Sequence, residues 1–260
     1  MGVTRPITLG IVADLSPTLD GLVKALKAMK VEQKDGKDLA RYRKASQESW
    51  NREFKMVEDW PGPGIHPARA MEAISETFGK DAIYLVDGGM TSLWAHWFLP
   101  ATWPRSYHGI LELGMLGIGV PYAVGAKLAN PDRKVVCVTG DGAAGFNFME
   151  MQSAARENLD ITTVVFAEGS WTMEEPNERM QWGKTFGTDM GTVRWDKVGE
   201  GLGCSGQYAE KADEVGPALK AARETDGPTV VCLKTDREAN LGVPEDYFMR
   251  FFEVYQGPMG

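Results

Sequence analysis

The run KVVCVTGDGAAGFNFMEMQSAARENLDITTVVFAEGS occupies residues 134–170, and its reading decides the fold. It opens on an apolar, β-branched stretch from Val135 to Thr139. It turns through Gly140-Asp141-Gly142, continues as a helix-like pattern, and closes on a second apolar stretch from Ile161 to Phe166. Neither apolar stretch alternates with polar residues. A strand of that kind is buried on both faces, as in a parallel sheet covered by helices above and below. One helix separates the two stretches, so their carboxyl ends emerge at the same edge of the sheet.

The same alternation continues on both sides. Further strand-like runs are AIYLVD (82–87) and PTVVCLKTD (228–236). Helical patterns are PARAMEAISETFG (67–79), GVPYAVGAKLANP (119–131), VRWDKVGEGLG (193–203) and ADEVGPALKAARET (212–225). The sequence therefore predicts an α/β fold over 67–260, a doubly wound parallel sheet with helices on both faces. Before it, ITLGIVAD (7–14) reads as a strand, with Ser16 as N-cap and Pro17 opening a helix through LDGLVKALKAMK (19–30). DLARYRKASQESWNREFKMVEDW (38–60) reads as an exposed helix, and PGPGIHP (61–67) breaks it. Residues 1–60 are thus expected to be a short N-terminal α/β appendage, with 61–66 as linker.

Composition excludes several partners. The formal net charge is -8 and the pI about 5.1, with no Lys/Arg run, so the chain has no electrostatic footprint for nucleic acid. No apolar run approaches the ~20 residues a membrane helix needs, and MGVTRPITLG lacks the layout of a secretion signal. Cys137, Cys204 and Cys232 form no C-x-x-C pair. They read as buried reduced thiols, which suits the cytoplasm.

Three strand ends carry a carboxylate beside glycine: Asp87-Gly88-Gly89, Gly140-Asp141-Gly142 and Glu168-Gly169-Ser170. Ligands of such sheets bind beyond the carboxyl ends of the strands. Asp141 can simply cap the next helix. The same junction also suits a phosphate at the helix N-terminus, and a divalent cation would reconcile phosphate with carboxylate. Glu168, at the next strand end, is either the second oxygen ligand or a solvated loop acid.

Residues 140–170 resemble the thiamine diphosphate motif, which starts with Gly-Asp-Gly and closes one αβ unit later on a pair of asparagines. LELGMLGIGVPYAVGAKLANP (111–131) resembles the family stretch that supports the cofactor's rings. DGGMTSLWAHWF (87–98) stands where the family has its first diphosphate-binding turn. The resemblance is to the acetohydroxyacid synthase and 2-hydroxyacyl-CoA lyase group and runs from about residue 6 to 235. Residues 6–30 look like the end of that group's central domain, and 65–235 like its C-terminal diphosphate-binding domain.

The resemblance implies thiamine diphosphate and Mg2+ as cofactors, with Asp141, Glu168 and the Ser170 carbonyl as metal ligands. Gly140 belongs to the motif's opening turn, and Gly142 and Ala143 would offer N–H groups to the diphosphate. Gly89, Met90 and Thr91 would lie along its other side. Gly114 would present its carbonyl to the aminopyrimidine, with Met115 lining the cofactor and Leu116 as the wedge that bends it. The implied chemistry breaks or forms a C–C bond beside a carbonyl, on a 2-oxo acid or 2-hydroxyacyl substrate.

Two departures stand out. Ala167-Glu168 replaces the paired asparagines, and Glu112 stands where the group has glycine. Glu112 is either a substrate or proton-relay residue or a surface substitution. His108 is a candidate acid/base or a packing residue, whereas His66 and His96 read as structural. Trp94, Trp97 and Trp103 form either an anchor for a partner or a core cluster. The group's pyrimidine-binding domain, which carries the activating glutamate, is not found in these residues. The resemblance therefore implies one part of a hetero-oligomer, such as a heterotetramer, with a separate pyrimidine-binding subunit. A non-catalytic subunit that kept the fold but lost the cofactor is the alternative. An unrelated phosphate-binding hydrolase is disfavoured, since no G-x-S-x-G elbow or P-loop lysine motif occurs.

Overall fold

The computed structural model describes residues 7–29, 36–58, 60–109 and 114–241. The chain divides into two compact units, and the second spans Val57–Val243. The first unit supplies helices α1 (Leu15–Ala28) and α2 (Lys37–Glu58). Asp14, rather than Ser16, caps α1, accepting the Ser16 N–H at 3.0 Å. Residues 7–14, expected as a strand, carry none. An extended run is a stable strand only when its N–H and C=O groups find a partner, and no described residue pairs with it.

The second unit is built on a six-stranded, all-parallel sheet in the order β2-β1-β3-β4-β6-β5. Its strands are β1 (Ile83–Val86), β2 (Tyr107–Gly109), β3 (Val135–Gly140), β4 (Ile161–Phe166), β5 (Ser205–Ala209) and β6 (Thr229–Leu233). Helices α3 (Pro67–Phe78), α4 (Met90–Phe98) and α10 (Ala212–Glu224) pack on one face. Helices α5 (Gly119–Ala129), α6 (Asp141–Asn147), α7 (Met151–Arg156) and α9 (Trp195–Gly201) pack on the other. The remaining helices are α8 (Glu175–Trp182) and α11 (Arg237–Leu241).

Apolar residues on both sides of each central strand make this arrangement obligatory. Along β1, Tyr84 and Val86 join the layer with Met71, Ile74, Trp94 and Leu219, while Ile83 and Leu85 join Val120, Phe148 and Met151. Each such side chain contributes roughly 1.5–3 kcal/mol when removed from water, so leaving either face uncovered would be costly. Trp94 lies inside the first layer, 7% exposed, with its ring against His66 and Trp97. It is a core residue, not the partner anchor that its place in an aromatic cluster permitted. The helix expected over NFMEMQSAARENL is broken: α6 ends at Asn147, a 3-10 turn covers Phe148–Glu150, and α7 follows.

The position of the site follows from the winding. From β1 the chain crosses by α4 to β2 on one side; from β3 it crosses by α6 and α7 to β4 on the other. β1 and β3 are neighbours, so a crevice opens between their carboxyl ends, where sheets of this kind bind ligands.

Candidate functional site

At the β1 end, Asp87 is 2% exposed and holds the backbone of two turns. Its Oδ1 accepts from the N–H of Gly88 at 2.8 Å and of Gly117 at 3.3 Å, and its Oδ2 from Gly119 at 2.8 Å. Burial pushes its carboxyl up, and these same N–H donors pull it down. The turn 114–119 is further tied by the Asn147 amide, which donates to the Gly117 carbonyl at 2.9 Å. Gly117 takes φ +84°, and a Cβ there would meet Phe146 at 2.5 Å, so only glycine fits. Asp87 was visible in the sequence as a strand-end carboxylate, but its part in shaping the turn at 114–119 depends on residues thirty positions away.

At the β3 end, Asp141 opens α6 and is 8% exposed. Its Oδ1 accepts from Gly142 N–H at 2.8 Å and its Oδ2 from Gly169 N–H at 2.6 Å. Burial pushes its carboxyl up to about 6 against those two bonds. Gly140 and Phe166 are paired across β3 and β4, so Asp141 and Glu168 leave the sheet side by side. Glu168 is half-buried. Its Oε2 accepts from the Thr172 hydroxyl and its Oε1 from the Asn240 amide, both at 2.6 Å. Burial raises its carboxyl to about 8; Thr172 opposes the rise, and the neighbouring charges of Asp141 and Glu175 add to it.

Ser170 pairs with Asp189 in an isolated antiparallel bridge. The bridge runs through its neighbours: Trp171 N–H donates to Thr188 and Met190 N–H to Gly169, both at 2.8 Å. In that pattern the carbonyl of Ser170 itself points out of the ladder. Its hydroxyl donates to Glu175, which is fully buried and also meets Arg237 at 2.5 Å and Arg179 at 3.2 Å.

Two helix N-termini face the crevice. The cap residues Gly89 of α4 and Gly140 of α6 offer no side-chain acceptor. The first turn of α4 is without such an acceptor and suits an anion, whereas in α6 the Asp141 carboxylate takes one of the N–H groups. The two turns touch: a Cβ on Gly88 would lie 3.2 Å from the Gly140 nitrogen, and one on Gly140 would lie 2.9 Å from Thr91 Oγ1. Of the two N–H groups expected on α6, that of Gly142 is already taken by Asp141, leaving Ala143 as the uncommitted donor. Trp171 and Met173 lean on this region, since a Cβ on Gly142 or Gly89 would meet them at 2.6 and 2.8 Å.

The structure thus gathers Gly89, Met90, Thr91, Gly140, Asp141, Gly142, Ala143, Glu168 and Ser170 at one edge. Gly114 and Met115 are exposed and Leu116 half-buried on the turn that Asp87 holds. Glu112 lies outside the described residues. His108 sits on β2 at the sheet's margin, its Nε2 donating to the Arg105 carbonyl at 2.8 Å. As a test of fit, the side-chain donors that leave the sheet here side by side are the two carboxylates of Asp141 and Glu168, the kind of oxygen a hard divalent cation takes. Each carboxylate oxygen that accepts one hydrogen bond keeps a second lone pair, so the observed bonds leave room for a metal.

Fold and site together define a parallel α/β protein with a crevice at its topological switch point, where proteins of this class bind ligands. Residues 87–233 match the thiamine pyrophosphate enzyme C-terminal TPP binding domain, and the chain belongs to that family. It is 31% identical over 248 residues to the acetolactate synthase large subunit of Corynebacterium glutamicum, covering 93% of this chain and 39% of that protein. To the catabolic acetolactate synthase of Raoultella terrigena it is 28% identical over 232 residues, covering 88% and 41%. The sulfoacetaldehyde acetyltransferase of Castellaniella defragrans is 26% identical, with 85% and 40% covered. The chain thus spans about two fifths of the length of these relatives. Among solved structures, the thiamine diphosphate-dependent 4-hydroxybenzoylformate decarboxylase of Rhodococcus jostii RHA1 superposes with a TM-score of 0.63 at 29% identity, covering 67% of this chain and 33% of that one. No helix among the described residues is long and apolar enough to cross a membrane.

Proposed function

We propose that this chain holds the diphosphate and Mg2+ of thiamine diphosphate in an enzyme that breaks or forms a C–C bond next to a carbonyl, as an acetolactate synthase-like lyase or carboligase. The observation that carries the reading is the side-by-side exit of Asp141 and Glu168 beside two helix N-termini whose cap residues are glycines. In this reading Asp141, Glu168 and the Ser170 carbonyl hold the metal. The N–H groups of Ala143, Met90 and Thr91 hold the diphosphate, and Gly114, Met115 and Leu116 support the rings. The bound cofactor supplies an electron sink for the bond that breaks. Glu112 and His108 are the candidates for moving a proton at the substrate. The activating glutamate comes from a pyrimidine-binding domain outside these 260 residues, on a partner subunit of a hetero-oligomer. The substrate is a 2-oxo acid or 2-hydroxyacyl compound. The buried, unpaired thiols Cys137, Cys204 and Cys232 suit a reducing compartment such as the cytoplasm.

The test is to co-express the chain with neighbouring open reading frames and measure thiamine diphosphate and Mg2+ in the purified complex. Asp141→Ala and Glu168→Ala are expected to lose both; retention of both ligands by the two variants sinks the assignment. One observation favours a second reading, a non-catalytic subunit: both Glu168 oxygens already accept hydrogen bonds within the chain. Absence of metal-dependent cofactor binding in the native complex would select it.

A further inference from the structure

Asn240, on the short helix α11, is 2% exposed and lies 72 residues from Glu168 in the chain. Its Oδ1 accepts the indole N–H of Trp94 at 2.6 Å, and its Nδ2 donates to Glu168 Oε1 at 2.6 Å. The orientation of this amide is fixed by chemistry. An indole N–H can only donate, so the amide oxygen must face Trp94 and the amide nitrogen must face Glu168. Trp94 is packed in the core and belongs to α4, the helix whose first turn borders the crevice. The chain Trp94–Asn240–Glu168 therefore ties one carboxylate of the crevice to the helix on its other side. A glutamate has one more rotatable bond than an asparagine and, unheld, would sample several positions at a strand end.

We propose that Asn240 is a positioning residue that aims the Glu168 carboxylate at the divalent cation, with Trp94 fixing the polarity of its amide. The proposal rests on the reading of Asp141 and Glu168 as metal ligands. Outer partners of metal ligands set ligand orientation, and their loss typically costs about 10–100-fold in metal affinity.

The test is Mn2+ titration of the full chain, with whatever partner co-purifies, in saturating thiamine diphosphate. Free Mn2+ is followed by electron paramagnetic resonance, and the thermal midpoint is recorded alongside. Asn240→Ala is expected to weaken Mn2+ binding at least about 10-fold. Trp94→Phe removes the indole N–H together with the five-membered part of the ring system, so the amide can flip. It is expected to weaken binding about 3-fold at a somewhat lower thermal midpoint, and it keeps the proposal open to refutation if Asn240→Ala fails to fold. In the Asn240→Ala, Glu168→Ala double variant, loss of Asn240 should cost little beyond Glu168→Ala alone. A lowered midpoint with unchanged Mn2+ affinity in the Asn240 and Trp94 variants overturns the positioning role while Glu168→Ala still weakens binding. Unchanged affinity in Glu168→Ala overturns the ligand assignment and this proposal with it.

Discussion

Asp87 and Asp141 end adjacent parallel strands, each is followed by glycine, and each is buried. Their surroundings differ. Asp87 gathers three backbone N–H groups from two turns, with its oxygens committed to the chain. Asp141 accepts only two, from Gly142 and Gly169, and has Glu168 leaving the sheet beside it. The same dipeptide thus serves the fold at one junction and leaves a negative corner at the next. Burial raises both carboxyls, but at β1 the charge is answered by the protein itself.

Removing the acceptor should separate the two most sharply. Asp87→Ala leaves the amides of Gly117 and Gly119 buried and unpaired, at about 1–3 kcal/mol each, so we expect a loss of about 3 kcal/mol or more in urea unfolding. Equal stability of this variant and the native chain would break the distinction. Asp141→Ala is expected to act on binding above all: Mg2+-dependent cofactor retention falls by more than the ~10–100-fold of a supporting residue, and the metal-free thermal midpoint also falls because the buried amides of Gly142 and Gly169 lose their acceptor.

A buried group at the start of α3 calibrates the pH response. His66 caps α3, its Nδ1 accepting the Ala68 N–H at 3.1 Å, and burial lowers its pKa to about 4, with Asp236 opposing. Its folded pKa lies below the unfolded value of about 6.5. The unfolded chain therefore takes up the proton first. The stability held by neutral His66 is complete above pH 6.5 and lost as pH falls toward 4, about 3 kcal/mol in all. Equilibrium unfolding of His66→Gln should lack this slope. The smallest effect is expected from Gly88→Ala. At φ +97°, with Gly140 nitrogen 3.2 Å from the new Cβ, it should cost about 1–2 kcal/mol and move the Asp87 turn against its neighbour. Thermal melting measures it.

The four central strands are legible because burial on both faces demands uninterrupted β-branched runs, as in VVCVT and ITTVVF. The marginal strands are not. Tyr107–Gly109 has three residues, and SGQYA on β5 is largely polar, so neither shows an apolar run. Asp141 and Glu168 could be placed together because one αβ unit fixes their register, Gly140 against Phe166. Asn240 could not be read, since a contact made across 72 residues leaves no local pattern. The break between α6 and α7 was hidden for a related reason: Phe148 and Met151 keep helical spacing while the backbone between them tightens into a 3-10 turn.

Residues 60–65 are stitched to the segment that follows β6. Ile65 N–H donates to Lys234, Asp236 N–H donates back to Ile65, and the Trp60 indole donates to Asp236 at 2.9 Å. The segment leading into the domain therefore lies against the one leading out of it. A unit whose two gateways adjoin behaves as a cassette: it can be carried as an insert within another chain, or circularly permuted by a short tether across the gateways, without reordering its sheet.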